Sequence, residues 1–196
     1  MSEPVSLPPA GNRPAIFLDR DGTLNRIVRV DDKPFPPRTL EEFVLFEDAA
    51  AGCQALARAG FTLVVVTNQP DVGRGTLDQA MVERLHALLR TLIPELARIE
   101  VCFDAGRGPE TDSPRRKPAP GMLLDAAREL NLDLTRSWII GDRWRDVDCG
   151  QRAGVRTVFI DYGYDEALKM PPDYTVGSFA AAVDVVLGAS AQRPGD

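Results

Sequence analysis

The chain has 196 residues and a formal net charge of −6, and its apolar and charged fractions are those of an ordinary folded protein. This length suits one domain with a sizeable core and leaves little chain for a second. The negative charge argues against broad nucleic-acid binding, which needs a basic surface to displace counterions, although a local basic cluster could still bind a small anion.

The cysteines and the chain ends indicate the compartment. Cys53, Cys102 and Cys149 are odd in number and widely spaced, which argues against a disulfide framework and for a reducing compartment. The first residues are rich in proline and lack the apolar run of a signal peptide. No stretch approaches the roughly 20 apolar residues that span a bilayer. We therefore expect a cytoplasmic monomer without a membrane partner, with flexible tails at 1–13 and 188–196 and a single domain at 14–187.

Along the chain, apolar runs that predict buried strands alternate with amphipathic segments that predict helices. The predicted strands are residues 15–19, 61–66, 99–103, 137–141 and 155–160, and the predicted helices are residues 48–59, 76–93, 121–130, 145–153 and 178–187. Residues 34–37 are predicted to be irregular because they are rich in proline. This alternation predicts a three-layer α/β/α Rossmann-like fold, in which a parallel sheet carries helices on both faces.

The second predicted helix has the clearest start signal. Thr76 is followed three residues later by Gln79, the spacing of a capping box. The apolar residues of this helix are predicted to face the core; they are Met81, Leu85, Leu88, Leu89 and Leu92.

The first predicted strand ends in two aspartates, Asp19 and Asp21, followed by a glycine turn at Gly22. In an open parallel sheet this C-terminal edge is where ligands bind. Two carboxylates this close repel each other unless a cation lies between them or one is protonated. Hard divalent cations such as Mg²⁺ prefer oxygen ligands. Taken alone, however, the pattern is also typical of a strand end with a solvated Asx turn.

Three further polar groups occur at matching places in the predicted fold. Thr67-Asn-Gln follows the second strand, Gly141-Asp142 follows the fourth, and Arg115-Arg-Lys117 precedes a helix. Each alone has a simpler explanation, as a turn or a solvated run of charge. Because all of them lie at a strand's C-terminal end or at a helix N-terminus, one pocket could collect them.

Together these motifs resemble those of the haloacid dehalogenase (HAD) superfamily of phosphohydrolases, subfamily IIIA. The resemblance is closest to the D,D-heptose 1,7-bisphosphate phosphatases and the histidinol-phosphatase domains, and it covers residues 14–187. The motifs that carry it are Asp19-Arg-Asp-Gly-Thr-Leu-Asn25, Thr67-Asn-Gln, Arg116-Lys117-Pro-x-Pro-Gly-Met122 and Gly141-Asp142-x-x-x-Asp146.

The resemblance implies the catalytic roles. Asp19 would attack phosphorus and form an aspartyl-phosphate, which splits one difficult hydrolysis into two easier steps. Asp21 would be the general acid towards the leaving oxygen and then the base towards water. Lys117 would neutralise the phosphoryl oxygens. Thr67 and Asn68 would hydrogen-bond the phosphoryl group.

It also implies a metal site and a substrate site. Asp19, the backbone carbonyl of Asp21 and Asp142 would bind Mg²⁺. Arg116 and Arg143 would recognise the rest of the substrate, a small phosphorylated metabolite. Asp146 would hold Lys117 or a metal-bound water rather than the metal itself.

One departure concerns the zinc loop of these relatives, which has the motifs Cys-x-His and Cys-x-Cys. This chain has Cys102-Phe-Asp104 and Ser113-Pro-Arg115 at those places, and its single histidine, His86, lies in a predicted helix. Structural zinc takes four Cys or His ligands, so we do not expect zinc. The loss puts the identity of the substrate in question more than the catalysis.

Many HAD enzymes close over the substrate with an inserted cap domain. Here the segment between the first motif and the first helix is about two dozen residues, too short for a domain with its own core. We therefore expect an open site without a cap domain, screened by residues 25–46 and 104–116.

These observations predict Mg²⁺-dependent hydrolysis of a sugar phosphate, such as D-glycero-D-manno-heptose 1,7-bisphosphate. Two alternatives stay open at this point. One is a phosphatase for histidinol phosphate or another small metabolite. The other is a binding module that keeps the fold without turnover, although Asp19, Asp21, Lys117 and Asp142 together favour an enzyme.

Overall fold

The computed structural model describes residues 12–30, 33–108 and 112–191. Within these ranges the strands are β1 (Ala15–Leu18), β2 (Val28–Val30), β3 (Lys33–Phe35), β4 (Thr62–Asn68), β5 (Leu96–Cys102), β6 (Trp138–Gly141), β7 (Arg156–Ile160) and β8 (Tyr174–Val176). The α-helices are α1 (Ala49–Arg58), α2 (Pro70–Gly73), α3 (Gln79–Leu92), α4 (Gly121–Leu130), α5 (Trp144–Ala153) and α6 (Phe179–Ala191). Most of the predicted N-terminal tail and residues 192–196 lie outside the described ranges.

Six strands form one parallel sheet in the order β5-β4-β1-β6-β7-β8. Strand β1 is flanked by β4 and β6, and Leu18 at its end pairs in register with Val65 and Ile140. The residues that follow β1 and β6, and the last residues of β4, therefore meet at one edge. This is the edge where the sequence predicts the site.

The two faces of the sheet bury separate cores, as the alternation of side chains along a strand requires. Ile16 and Leu18 pack with residues of α1, α3 and α6, whereas Ala15 and Phe17 pack with residues of α4 and α5. Helices thus cover both faces, and the predicted three-layer α/β/α arrangement is confirmed.

The described part of residues 25–46 contains no cap domain. It includes an antiparallel hairpin of β2 and β3, in which Val28 pairs with Phe35 and Arg29 with Pro34. The prediction that residues 34–37 are irregular was wrong for the beginning of this stretch. Proline is tolerated in β3 because, among the residues that the structure describes, β3 pairs with β2 alone and so has a free edge.

Several boundaries differ from the predicted ones. Helix α3 begins after Asp78, whose side chain accepts from the Ala80 amide at 3.0 Å, and not at Thr76. The amide of Thr76 instead donates to the Asp71 carbonyl at 2.9 Å, so Thr76 belongs to the preceding turn. Leu92 was predicted to face the core but is 41% exposed at the end of the helix.

Other elements are longer than predicted or were missed. Strand β5 begins at Leu96, α6 continues through residues 188–191, and β8 had no predicted counterpart. None of the helices in the described ranges combines the length and the apolar run that crossing a bilayer requires.

Candidate active site

Lys117 occupies the centre of the candidate site. It follows a loop and precedes α4, and only 3% of its surface is exposed. Its Nζ donates to Asp19 Oδ1 at 2.6 Å, to Asp146 Oδ1 at 2.6 Å and to the Val66 carbonyl at 2.7 Å. All three N–H donors of the ammonium are therefore used, which fixes its position opposite Asp19.

The electrostatics of this cluster are those of charges removed from water. Burial raises the pKa of Asp19 to about 7, although Lys117 opposes the shift. Burial, followed by the negative charges of Asp19 and Asp146, raises the pKa of Asp142 well above its usual range. Burial alone would lower the pKa of Lys117, but Asp146 and Asp19 raise it above its ordinary value, so the ammonium stays charged.

Asp142 follows β6 and faces the turn after β1. It is 2% exposed, and its Oδ1 has no hydrogen-bond partner among the described residues. Gly22 makes this approach possible. It has φ +92°, and a Cβ there would lie 2.2 Å from Asp142 Oδ2. Glycine is needed at this position both for its backbone conformation and for the space it leaves.

Asp19, Asp142 and Asp146 each offer an oxygen atom within 4.8 Å of the others. Three carboxylates around one ammonium leave a surplus of negative charge, which is unfavourable in a buried site without a further cation. An all-oxygen donor set with an unpartnered carboxylate oxygen fits a hard divalent cation such as Mg²⁺. The predicted metal set contained Asp21 in place of Asp146, which here is committed to Lys117.

The carboxylate of Asp21 is bound by three side chains. Both of its oxygens accept from the guanidinium of Arg20 at 2.9–3.1 Å, Oδ1 accepts from Asn25 Nδ2 at 2.9 Å, and Oδ2 accepts from Gln69 Nε2 at 2.7 Å. This leaves the backbone carbonyl as the group of Asp21 that suits a metal, in keeping with the resemblance.

Thr67 and Asn68 end β4 beside Lys117. Thr67 is buried, and its Oγ1 accepts from Gln69 Nε2 at 2.9 Å. The Asn68 amide pairs twice with the main chain of Lys117, donating to its carbonyl at 3.0 Å and accepting from its N–H at 3.1 Å. The structure thus shows Asn68 holding Lys117, where the sequence predicted a contact with the substrate.

The three consecutive cations before α4 point to different places. Arg115 pairs with Glu100 and Asp125, away from Lys117 and Asp19. Arg116 lines the cleft, and its Nη1 donates to the Asp104 carbonyl at 2.9 Å.

Arg143, the other predicted recognition residue, also lines the cleft. Its Nε lies 2.7 Å from Glu166 Oε2, and its guanidinium lies 5.1 Å from the centre of the Tyr164 ring. Both predicted recognition cations, Arg116 and Arg143, are therefore brought to the cleft.

The loop that carries zinc in the resembling proteins is held together here by hydrogen bonds to the carboxylate of Asp104. Asp104 accepts hydrogen bonds from the amides of Gly106 and Ser113, and these bonds lower its pKa. Asp104 and Ser113 occupy positions where the resembling proteins have zinc ligands. In this chain the two residues hydrogen-bond to each other.

The site opens into a cleft of about 340 Å³. Its floor is the polar cluster at the strand ends, and Ile27, Phe35 and Pro36 beside the β2–β3 hairpin form part of its wall. The cleft therefore contains all eight residues predicted for the site, which are Asp19, Asp21, Thr67, Asn68, Arg116, Lys117, Asp142 and Arg143.

The residues that support this cluster are not among the predicted site residues. Arg20 and Gln69 lie within the motifs that begin at Asp19 and Thr67, and a charged residue at the end of a buried strand indicates a buried partner. Glu166 and Tyr164 come from the long loop between β7 and β8, where the sequence has no motif.

The fold and the cleft define a class of protein. A parallel α/β sheet presents one aspartate at the tip of its central strand, a second aspartate two residues later, a buried lysine opposite the first and a further carboxylate from a neighbouring strand. This is the arrangement expected of a HAD-like hydrolase, and a family model described as HAD-hydrolase-like matches residues 114–182.

Comparison with known proteins narrows the class. The chain is 31% identical over 91% of its length to the D-glycero-D-manno-heptose-1,7-bisphosphate 7-phosphatase of Chlorobaculum tepidum, 96% of which is covered. It is 40% identical over 72% of its length to the D-glycero-beta-D-manno-heptose-1,7-bisphosphate 7-phosphatase of Mesorhizobium japonicum, 66% of which is covered. The chain belongs to this family of HAD-like phosphatases.

Solved structures agree with this assignment. The D,D-heptose 1,7-bisphosphate phosphatase of B. bronchiseptica, solved with magnesium and phosphate, has a TM-score of 0.74 at 26% identity, covering 90% of this chain and 99% of that one. A HAD-like phosphatase of Mesorhizobium loti has a TM-score of 0.73 at 32% identity, covering 97% and 90%.

Proposed function

We propose that this protein removes the 7-phosphate of D-glycero-D-manno-heptose 1,7-bisphosphate with the help of Mg²⁺, using Asp19 as the nucleophile. The observation that carries the proposal is the buried Lys117 ammonium between Asp19 and Asp146, with an unpartnered oxygen of Asp142 in the same cleft. The names of the relatives support the substrate.

In the first half of the reaction, a carboxylate oxygen of Asp19 forms a bond to phosphorus while the bond from phosphorus to the sugar oxygen breaks. The leaving oxygen takes a proton from Asp21. Lys117 stabilises the charge on the transferring group, and Thr67 donates its hydroxyl hydrogen to it. The product is an aspartyl-phosphate and the free sugar hydroxyl.

In the second half, Asp21 accepts a proton from water, and the water oxygen bonds to phosphorus. The bond from phosphorus to Asp19 breaks, which releases inorganic phosphate and restores the carboxylate. Mg²⁺ held by Asp19, Asp142 and the Asp21 carbonyl would supply a positive charge for the phosphoryl oxygens. Asn68 would keep Lys117 in place through its two hydrogen bonds to the Lys117 main chain.

Arg116 and Arg143 would bind the part of the substrate that does not react. A guanidinium can donate two parallel hydrogen bonds to a phosphate or to sugar hydroxyls. Both residues line the cleft beside the reacting group. The three cysteines are free and buried, which supports a reaction in the reducing cytoplasm. The expectations of a monomer, of no zinc and of a single domain at 14–187 stay predictions.

The proposal is tested by phosphate release from heptose 1,7-bisphosphate and histidinol phosphate, with Mg²⁺ and with a chelator. We expect release from the bisphosphate that needs Mg²⁺, and its loss in Asp19→Asn. Asp184→Asn, an exposed position on α6, is the matched control and should retain full activity. Preference for histidinol phosphate would overturn the substrate assignment, and undiminished release by Asp19→Asn would overturn the mechanism.

A further inference from the structure

Arg20 is a charged residue with no exposed surface, and its donors reach both a residue of the cleft and a residue of helix α3. Its Nε and Nη2 donate to both oxygens of Asp21, while its Nη1 lies 3.1 Å from Nε2 of His86. The guanidinium also lies 5.7 Å from the centre of the Phe43 ring. A buried guanidinium therefore connects the catalytic turn to helix α3.

The contact with His86 determines the state of the imidazole. A guanidinium only donates, so His86 Nε2 must accept, and the single ring hydrogen must lie on Nδ1. Burial and the neighbouring positive charge of Arg20 lower the pKa of His86 to about 4. The ring is therefore neutral at neutral pH, as an acceptor must be.

We infer that His86 is a positioning residue for proton transfer: its Nε2 holds the Arg20 guanidinium, which in turn holds the Asp21 carboxylate. The inference rests on the proposed role of Asp21 as acid and base. Asn25 and Gln69 donate to the Asp21 carboxylate itself, but the bonds between Arg20 and Asp21, which are neighbours on one turn, do not tie the Arg20 guanidinium to a second element. His86 lies on a different element and supplies a fixed point on the opposite side of the guanidinium.

This role has a kinetic signature that a general loss of packing does not share. An alkyl phosphate has a poor leaving group that needs the proton of Asp21, whereas p-nitrophenyl phosphate expels p-nitrophenolate, which leaves without protonation. The ratio kcat/KM reports the steps up to formation of the aspartyl-phosphate. A displaced Asp21 should therefore lower kcat/KM for the alkyl phosphate and spare the aryl phosphate.

The variants are His86→Leu, which removes the acceptor, and His86→Gln, whose side-chain oxygen can accept from Arg20. Positioned acid–base groups contribute about 10²–10⁴-fold, so partial displacement in His86→Leu should cost about 10–100-fold on heptose bisphosphate. On p-nitrophenyl phosphate the loss should stay below about threefold, and His86→Gln should recover most of the activity. Val82→Ala, at a fully buried position on the same helix, controls for lost packing and should leave the ratio of the two substrates unchanged. Equal losses on both substrates, no loss on either, or a His86→Gln variant as impaired as His86→Leu would overturn the inference.

A second measurement does not depend on turnover. His86 is the only histidine of the chain, so its ring nitrogens can be assigned directly by ¹⁵N NMR. At pH 7 we expect a neutral ring that is protonated on Nδ1, and a change in the Nε2 signal in Arg20→Met. A ring protonated on Nε2, or charged, would refute the positioning contact even if the phosphatase proposal holds. A wild type that shows the expected ring but releases no phosphate would refute the phosphatase proposal and leave the contact standing.

Discussion

Replacing Gly22 by alanine should displace Asp142, a carboxylate of the proposed metal site, without removing any charged group. Gly22 has φ +92°, and a Cβ there would lie 2.2 Å from Asp142 Oδ2 and 2.6 Å from its Cγ. Gly60 is the matched control, because it has φ +90° and nothing within 4 Å of its Cβ position. The two alanine variants therefore share the backbone strain and differ in the clash with Asp142.

The expected losses of stability and activity follow from the backbone strain and from the clash with Asp142. An alanine in the left-handed region costs about 1–2 kcal/mol, which lowers the Tm of a chain of this size by roughly 2–8 °C in both variants. In Gly22→Ala the Asp142 carboxylate must also retreat by about 1 Å to reach a normal contact. A displacement of that size at a reacting centre can cost on the order of 10²-fold in rate.

The assay compares phosphate release over a range of Mg²⁺ concentrations, together with Mg²⁺ binding by calorimetry. We expect Gly60→Ala to keep wild-type activity, and Gly22→Ala to lose about 10²-fold and to bind Mg²⁺ more weakly. If Gly22→Ala matches Gly60→Ala in both activity and Mg²⁺ binding, the close approach of Asp142 to this turn does not define the metal site.

Two further predictions concern charged groups in the interior. Lys117→Met should lower the free energy of unfolding by about 3–5 kcal/mol, measured by thermal unfolding without Mg²⁺, because Asp19 and Asp146 lose their shared partner. It should also abolish phosphate release. An unchanged Tm would contradict the pairing. In the folded protein the pKa of His86 is lowered from 6.5 to about 4. Between these pH values the unfolded chain therefore binds a proton at His86 that the folded chain does not bind. As the pH falls through this window, His86 lowers the free energy of unfolding. Denaturant unfolding at pH 7.5 and pH 4 should therefore show that His86→Gln loses less stability than wild type on acidification, by at most about 3 kcal/mol, and parallel pH profiles would contradict this.

The strands that could be predicted from the sequence are those covered by helices on both faces of the sheet. Strands β1, β4 and β6 are runs of apolar residues between polar turns, and such runs have few alternatives to a buried parallel strand. Strand β8 is a short edge strand whose residues are exposed or half-buried, so no apolar run marks it. The β2–β3 hairpin contains a proline, which on sequence grounds argues against a strand.

The same distinction applies to the site. Motif spacing placed all eight predicted residues in one cleft, because the parallel topology brings the strand ends together. Spacing could not tell that Asn68 binds the Lys117 main chain, or that Arg115 leaves the site for Glu100, because these partners come from distant parts of the chain. The connection from Asp21 through Arg20 to His86 also depends on how α3 packs against the sheet, and no local sequence pattern predicts it.

The central claim is that Asp19 carries the phosphoryl group during turnover. The most direct measurement is acid quenching of the enzyme during reaction with heptose 1,7-bisphosphate and Mg²⁺, followed by mass spectrometry of its peptides. We predict a phosphoryl group on the peptide that contains Asp19, and its absence both in Asp19→Asn and when Mg²⁺ is chelated. A phosphoryl group on a different residue, or turnover by Asp19→Asn at the wild-type rate, would contradict the account.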